Sequence, residues 1–180
     1  MGTSRGLRLR FGGDTAPIDL IDAFGSMWTA DIHGPAVSRI NPDTLQEIVR
    51  IPVAGGPAWF VEAAGALWVT TQNGIGITRI DPATNEPTVS VGDAPPCGRP
   101  ALRNGEIWVA ACDADAFLRI DPVSAAVIAT IPAKGHGWVL LAGSRLVTLG
   151  PEGLAELNPS SGSFARTTRT AAILLDQAQG

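Results

Sequence analysis

The chain has 180 residues and a formal net charge of −4, with 13 Lys and Arg against 17 Asp and Glu. Hydrophobic residues make up 45% and charged residues 17%, a balance that fills a core and excludes disorder driven by charge. A single lysine, Lys134, and the lack of any basic run exclude the electrostatic footprint of a nucleic-acid binder, and no stretch reaches the ~18 apolar residues of a membrane span.

Self-similarity dominates the rest. Met27-Trp28-Thr29-Ala30 recurs as Leu67-Trp68-Val69-Thr70, as Ile107-Trp108-Val109-Ala110 and, more weakly, as Leu146-Val147-Thr148-Leu149, at spacings of 40, 40 and 39. A second marker keeps the same beat: Arg39-Ile40-Asn41-Pro42 returns as Arg79-Ile80-Asp81-Pro82, Arg119-Ile120-Asp121-Pro122 and Glu156-Leu157-Asn158-Pro159. Between the markers the apolar residues alternate in short runs, as in Thr88-Val89-Ser90-Val91, which is the period of a strand.

In chain order, residues 1–15 match the end of a unit, because the run from Leu7 to Gly13 before Ala16-Pro17 reads like the run from Ile48 to Val53 before Gly56-Pro57. They predict the outer strand of a preceding unit. Complete units follow over 16–53, 54–93, 94–132 and 133–170, each divided into four strands; in the second these fall at 58–63, 66–71, 76–81 and 87–91. The Asn/Asp-Pro marker predicts a type I turn between third and fourth strands, and Asn104-Gly105 predicts a two-residue hairpin between first and second. Residues 171–180 align with 16–25 and predict the inner strand of a following unit.

Four antiparallel strands in about 40 residues, repeated with a Trp at one fixed place, make the chain all-β, with a β-propeller of four four-stranded blades. Trp28, Trp68 and Trp108 then fill the layer where one blade stacks on the next. The motifs Gly56-Pro57, Trp68-Val69-Thr70 and Ile80-Asp81-Pro82-Ala83-Thr84 resemble the bacterial propellers of the YVTN and NHL type, and more distantly the virginiamycin B lyase-like propellers. The end strands lack the middle strands that would join them, so the expected ring is partial and open. A longer ring, closure by self-association through open blade edges, and a compact four-bladed ring are the three ways to complete it.

Residues 1–13 hold arginines without an apolar core or a small-residue cleavage site, so they do not read as a secretory signal. A complete chain would therefore be cytoplasmic. Cys97 and Cys112 point the other way: counted from the Asn104-Gly105 turn they stand opposite each other, as either a disulfide or two buried thiols. A disulfide implies a periplasmic or secreted setting, within a longer protein.

In propellers the ligand face surrounds the channel, where the first strands begin. One repeat-equivalent position there reads Asp19, Trp59, Arg99 and Trp138, a mixture of charge and aromatic surface suited to a protein or a small polar ligand. The alternative is packing by the two Trp residues beside a solvated Asp19–Arg99 pair. Asp31 and His33 flank the same face. The leading expectation is a binding or scaffold module with no catalytic residue, cofactor or resident metal. The rival is a lyase-like or lactonase-like enzyme holding a divalent cation near Asp31, His33 and Asp113. The lyase resemblance implies a His after Arg-Pro in one blade and a Glu ending its second strand; here Arg99-Pro100 is followed by Ala101, and the strand ends in Ala111.

Overall fold

The computed structural model describes residues 15–151 and 153–168. Strands β1 (Pro17–Ala23), β2 (Ser26–Asp31), β3 (Ala36–Ile40) and β4 (Glu47–Pro52) pair in that order into one antiparallel sheet. The second sheet comprises β5 (Pro57–Ala63), β6 (Ala66–Thr71), β7 (Ile77–Asp81) and β8 (Glu86–Val91), and the third β9 (Cys97–Arg103), β10 (Glu106–Ala111), β11 (Ala116–Asp121) and β12 (Ala126–Pro132). The fourth holds β13 (Gly137–Ala142), β14 (Arg145–Gly150), β15 (Gly153–Leu157) and β16 (Phe164–Thr168). The first strand of each sheet touches the first strand of the next, while the fourth strands barely meet. The sheets therefore fan outward from a shared inner edge, as an open, partial β-propeller. The strands expected within 1–15 and 171–180 lie outside the described residues.

Local chemistry sets these elements. Asn104 and Gly105 both hold positive φ, 51° and 80°, as a type I′ hairpin requires. The Asx-Pro turns go further than a simple type I turn. Asn41 Oδ1 accepts the N–H groups of Asp43 and Thr44, and the Asn41 carbonyl accepts the N–H of Leu45, which sits at φ 52°. Asp81, Asp121 and Asn158 cap their own turns in the same way. This is a four-residue hairpin loop built around a type I turn, which explains why the short acceptor and the Pro recur together.

Because side chains alternate across a strand, each sheet is apolar on both faces and needs a neighbour on each. Trp28, Ala30, Val37 and Ile51 of the first blade pack on Phe60, Leu67, Val69 and Ile80 of the second. Trp68 and Ile77 meet Ile107, Val109 and Leu118 at the next seam, and Trp108 and Phe117 meet Val139, Leu146 and Leu157 at the last. At each of these three seams the forward face carries the Trp and the backward face of the next blade the apolar layer that receives it, while the fourth blade has Val147 in place of the Trp. The three Trp side chains are fully buried. Trp28 and Trp68 donate Nε1–H to the carbonyls of Ala23 and Ala63, and Arg39 and Arg119 lie over the rings of Trp28 and Trp108. Among the described residues no helix is long and apolar enough to cross a membrane.

Trp68→Ala removes the filler of the central seam and should destabilise the chain by about 3–5 kcal/mol, read as a lower urea midpoint. An unchanged midpoint would refute stacking through this ring.

Candidate functional site

Where each first strand enters its sheet, its pairing with the second strand slips. The slip lies between Pro17 and Asp19 in the first sheet, between Pro57 and Phe60 in the second, opposite Trp108–Ala110 in the third and between Gly137 and Val139 in the fourth. Such bulges free backbone groups from the ladder and re-aim side chains. The freed N–H of Phe60 donates to Asp19 Oδ2 of the preceding blade, at 2.9 Å. Asp19 Oδ1 accepts from the Arg99 guanidinium, two blades away. The Asp19 side chain is only 4% exposed while that of Arg99 is 50% exposed. The solvated pair weighed from sequence is thus a buried carboxylate that ties three blades together, holding a half-open guanidinium at the rim.

Trp59 and Trp138, from the second and fourth blades, meet with ring centroids 5.6 Å apart and planes tilted by 59°. Gly98, at φ 86°, makes this approach practicable: a Cβ there would lie 3.0 Å from the Trp138 ring. Trp138 itself is 54% exposed and holds a left-handed backbone, φ 52°, a conformation costing a bulky residue about 1–3 kcal/mol. All four repeat-equivalent side chains therefore gather at the inner ends of the first strands, as two contacts that each skip a blade.

The same slip corrects the cysteine register. Cys97 stands opposite Ala110, not Cys112, because the bulge shifts the pairing that the Asn104-Gly105 turn begins. Cys112 lies just beyond β10, where the chain bends into a 3-10 turn over Cys112–Ala114, and the two cysteines are joined as a disulfide with Cα atoms 5.8 Å apart. With a sequence separation of 15 between the partners, breaking the bridge should cost about 3 kcal/mol through the freed unfolded chain. Urea unfolding with and without reductant measures it; identical curves would remove the bridge from the stability account.

Asp31 is buried and fully engaged. Its Oδ1 accepts N–H groups of Ala16, His33 and Gly34, and its Oδ2 accepts from Arg50 at 2.9 Å. Burial alone would raise its pKa, but the hydrogen bonds from Gly34, Ala16, Arg50 and His33 outweigh that and hold it below the ordinary 3.8. Asp31, His33 and Asp113 do not converge, and among the described residues no three carboxylate, imidazole or thiol groups are placed to hold a metal ion. His136 stacks on Phe164 with centroids 3.9 Å apart, and burial lowers its pKa below the ordinary 6.5. A depressed folded pKa stabilises above the unfolded value and ceases to do so as pH falls through the folded one. Asp31→Asn should therefore cost about 1–3 kcal/mol at neutral pH and flatten the loss of stability below about pH 4, followed by thermal melts at stepped pH. Parallel wild-type and variant profiles would refute it.

No family model matches the chain, and none of the curated proteins does. Solved structures do. Virginiamycin B lyase from Staphylococcus aureus with quinupristin is similar over 88% of this chain and 57% of its own length, at 19% identity and TM-score 0.74. Kuenenia stuttgartiensis hydrazine synthase is similar over 92% and 52%, at 15% identity and TM-score 0.73. An extracellular domain of a one-component system from B. thetaiotaomicron is similar over 88% and 26%, at 18% identity and TM-score 0.69. The chain spans about half the length of the lyase and the synthase. At these identities the likeness is one of fold: this chain has the architecture of the virginiamycin B lyase-like and other β-propellers.

Proposed function

We propose that the chain is a non-catalytic binding module that takes a small polar organic ligand or a peptide at the inner ends of its first strands, in an extracytoplasmic setting. One observation carries the reading. Four positions that the repeat makes equivalent hold three residue types, Asp19, Trp59, Arg99 and Trp138, joined as an Asp19–Arg99 ion pair and a Trp59–Trp138 ring contact at the inner ends of the first strands. A purely structural position would repeat its residue type, as Trp28, Trp68 and Trp108 do.

The physical character of the cluster suits recognition. Trp138 offers a largely open indole face on a strained backbone, and Arg99 offers guanidinium N–H groups beyond the one committed to Asp19. Aromatic and Arg side chains are the residues that most often anchor ligands and partners. The Cys97–Cys112 bridge supports a compartment in which disulfides persist. The rival reading, an enzyme with a divalent ion near Asp31, loses its first ligand to the backbone amides and to Arg50.

Saturation-transfer NMR with a pool of short peptides and a pool of oligosaccharides tests the module. At least one compound should bind, and Trp138→Ala and Arg99→Ala should each weaken it about tenfold or more, measured well below the lowered melting temperature that loss of a hub contact brings. Binding untouched by both substitutions, or none from either pool, would overturn the reading.

A further inference from the structure

The three seams use one rim device and vary it at a single position. An Arg stands at the same place in the first three blades, as Arg39, Arg79 and Arg119. Across the first seam Arg39 Nη1 reaches the Asx-Pro turn of the next blade, donating to the Pro82 carbonyl and to Asn85 Oδ1, both at 2.8 Å. The turn position of Asn85 is held by Ala125 in the third blade and Gly162 in the fourth, and all three adopt positive φ, 61°, 54° and 69°. At the second seam Ala125 packs on the apolar core, and Arg79 bonds Thr88 of its own blade instead. At the third seam the position has no side chain to offer.

Arg119 is held back at that seam as well. Both Glu106 carboxylate oxygens accept from its Nε and Nη2 at 2.8 to 3.0 Å, which leaves Nη1 outside the fork. Glu106 stands where the first blade has Ser26, the neutral acceptor for Arg39 Nε. The space between Arg119 and the fourth turn is a groove of about 430 Å³, walled by Ile131 and Pro132 on one blade and by Pro159, Ser160 and Gly162 on the other. It lies within a seam whose two blades are both described, and it shares no residue with the cluster at the inner ends of the first strands.

We propose that this groove is a second binding site and that it takes a carboxamide, the head group of an Asn or Gln side chain, whose oxygen accepts from Arg119 Nη1. The first seam defines the chemistry, because there the same niche is filled by the Asn85 amide on an Arg at the equivalent place. Charge favours the neutral group over a carboxylate: Glu106 already balances the guanidinium and would repel a second anion. The Pro159 carbonyl, the counterpart of the one that Arg39 reaches, receives nothing from Arg119 and can accept from the amide NH2, a donor that a carboxylate lacks.

NMR titration of the isotope-labelled chain with N-acetylasparagine methylamide tests the site, with the aspartate analogue as the anion of the same shape. The asparagine compound should shift the backbone signals of Ser160, Ser161 and Gly162 and the Nε–H of Arg119, saturating in the millimolar range of so small a ligand. The aspartate compound should bind about tenfold or more weakly. Gly162→Asn supplies the amide from the chain itself and should abolish the shifts; a Cβ there meets Ile131 Cγ2 at 2.9 Å, and unchanged circular dichroism verifies that the fold accommodates it. Glu106→Ser copies the first blade and unmasks the guanidinium charge, so it should move the preference toward the aspartate compound by about tenfold. Absence of saturable shifts at these residues, equal binding of the two compounds to the wild type, full binding by Gly162→Asn or an unchanged preference in Glu106→Ser would each overturn the proposal.

Discussion

A sheet that is apolar on both faces has no stable existence alone, and that constraint governs the whole molecule. At each of the three seams one blade buries a Trp and its apolar companions against a largely aliphatic layer of the next. Burying a large aromatic side chain removes 150–250 Å² from water, so the seams supply the main driving force. The turns, the hairpins and the arginines over the Trp rings orient the sheets for that contact.

Much of this architecture is legible in the residues. The beat of about 40 residues is visible because each seam takes the same Trp from the blade before it and the same Asx-Pro turn closes every unit, and a repeated physical demand leaves a repeated residue. The Asn104-Gly105 hairpin is legible because few residues tolerate positive φ twice in succession. The inner ends of the first strands are not legible in the same way. Bulges shift the register by one or two residues without a fixed sequence mark, so a count from the hairpin sets Cys97 against Cys112 when its neighbour across the ladder is Ala110.

The candidate site was legible as a set of positions but not as a set of roles. Repeat alignment brings Asp19, Trp59, Arg99 and Trp138 to one level because equivalent positions share a distance from the axis. It is silent on which pairs touch. Asp19 is taken by an amide that only the bulge at Phe60 exposes, and Arg99 reaches it from 80 residues away. Asp31 illustrates the converse: a carboxylate at a loop suggests a cation ligand, but this one is consumed by three backbone N–H groups and an arginine.

The inner contacts that skip a blade alter how the repeat behaves as a material. Stacked repeats ordinarily couple only to their immediate neighbours, so they fray from the ends and melt in stages. Here the Asp19–Arg99 pair spans blades one to three and the Trp59–Trp138 pair spans two to four, two overlapping staples along the hub. Loosening an end blade therefore disturbs a unit it does not adjoin, and the arc gains cooperativity at its hub that its rim does not provide.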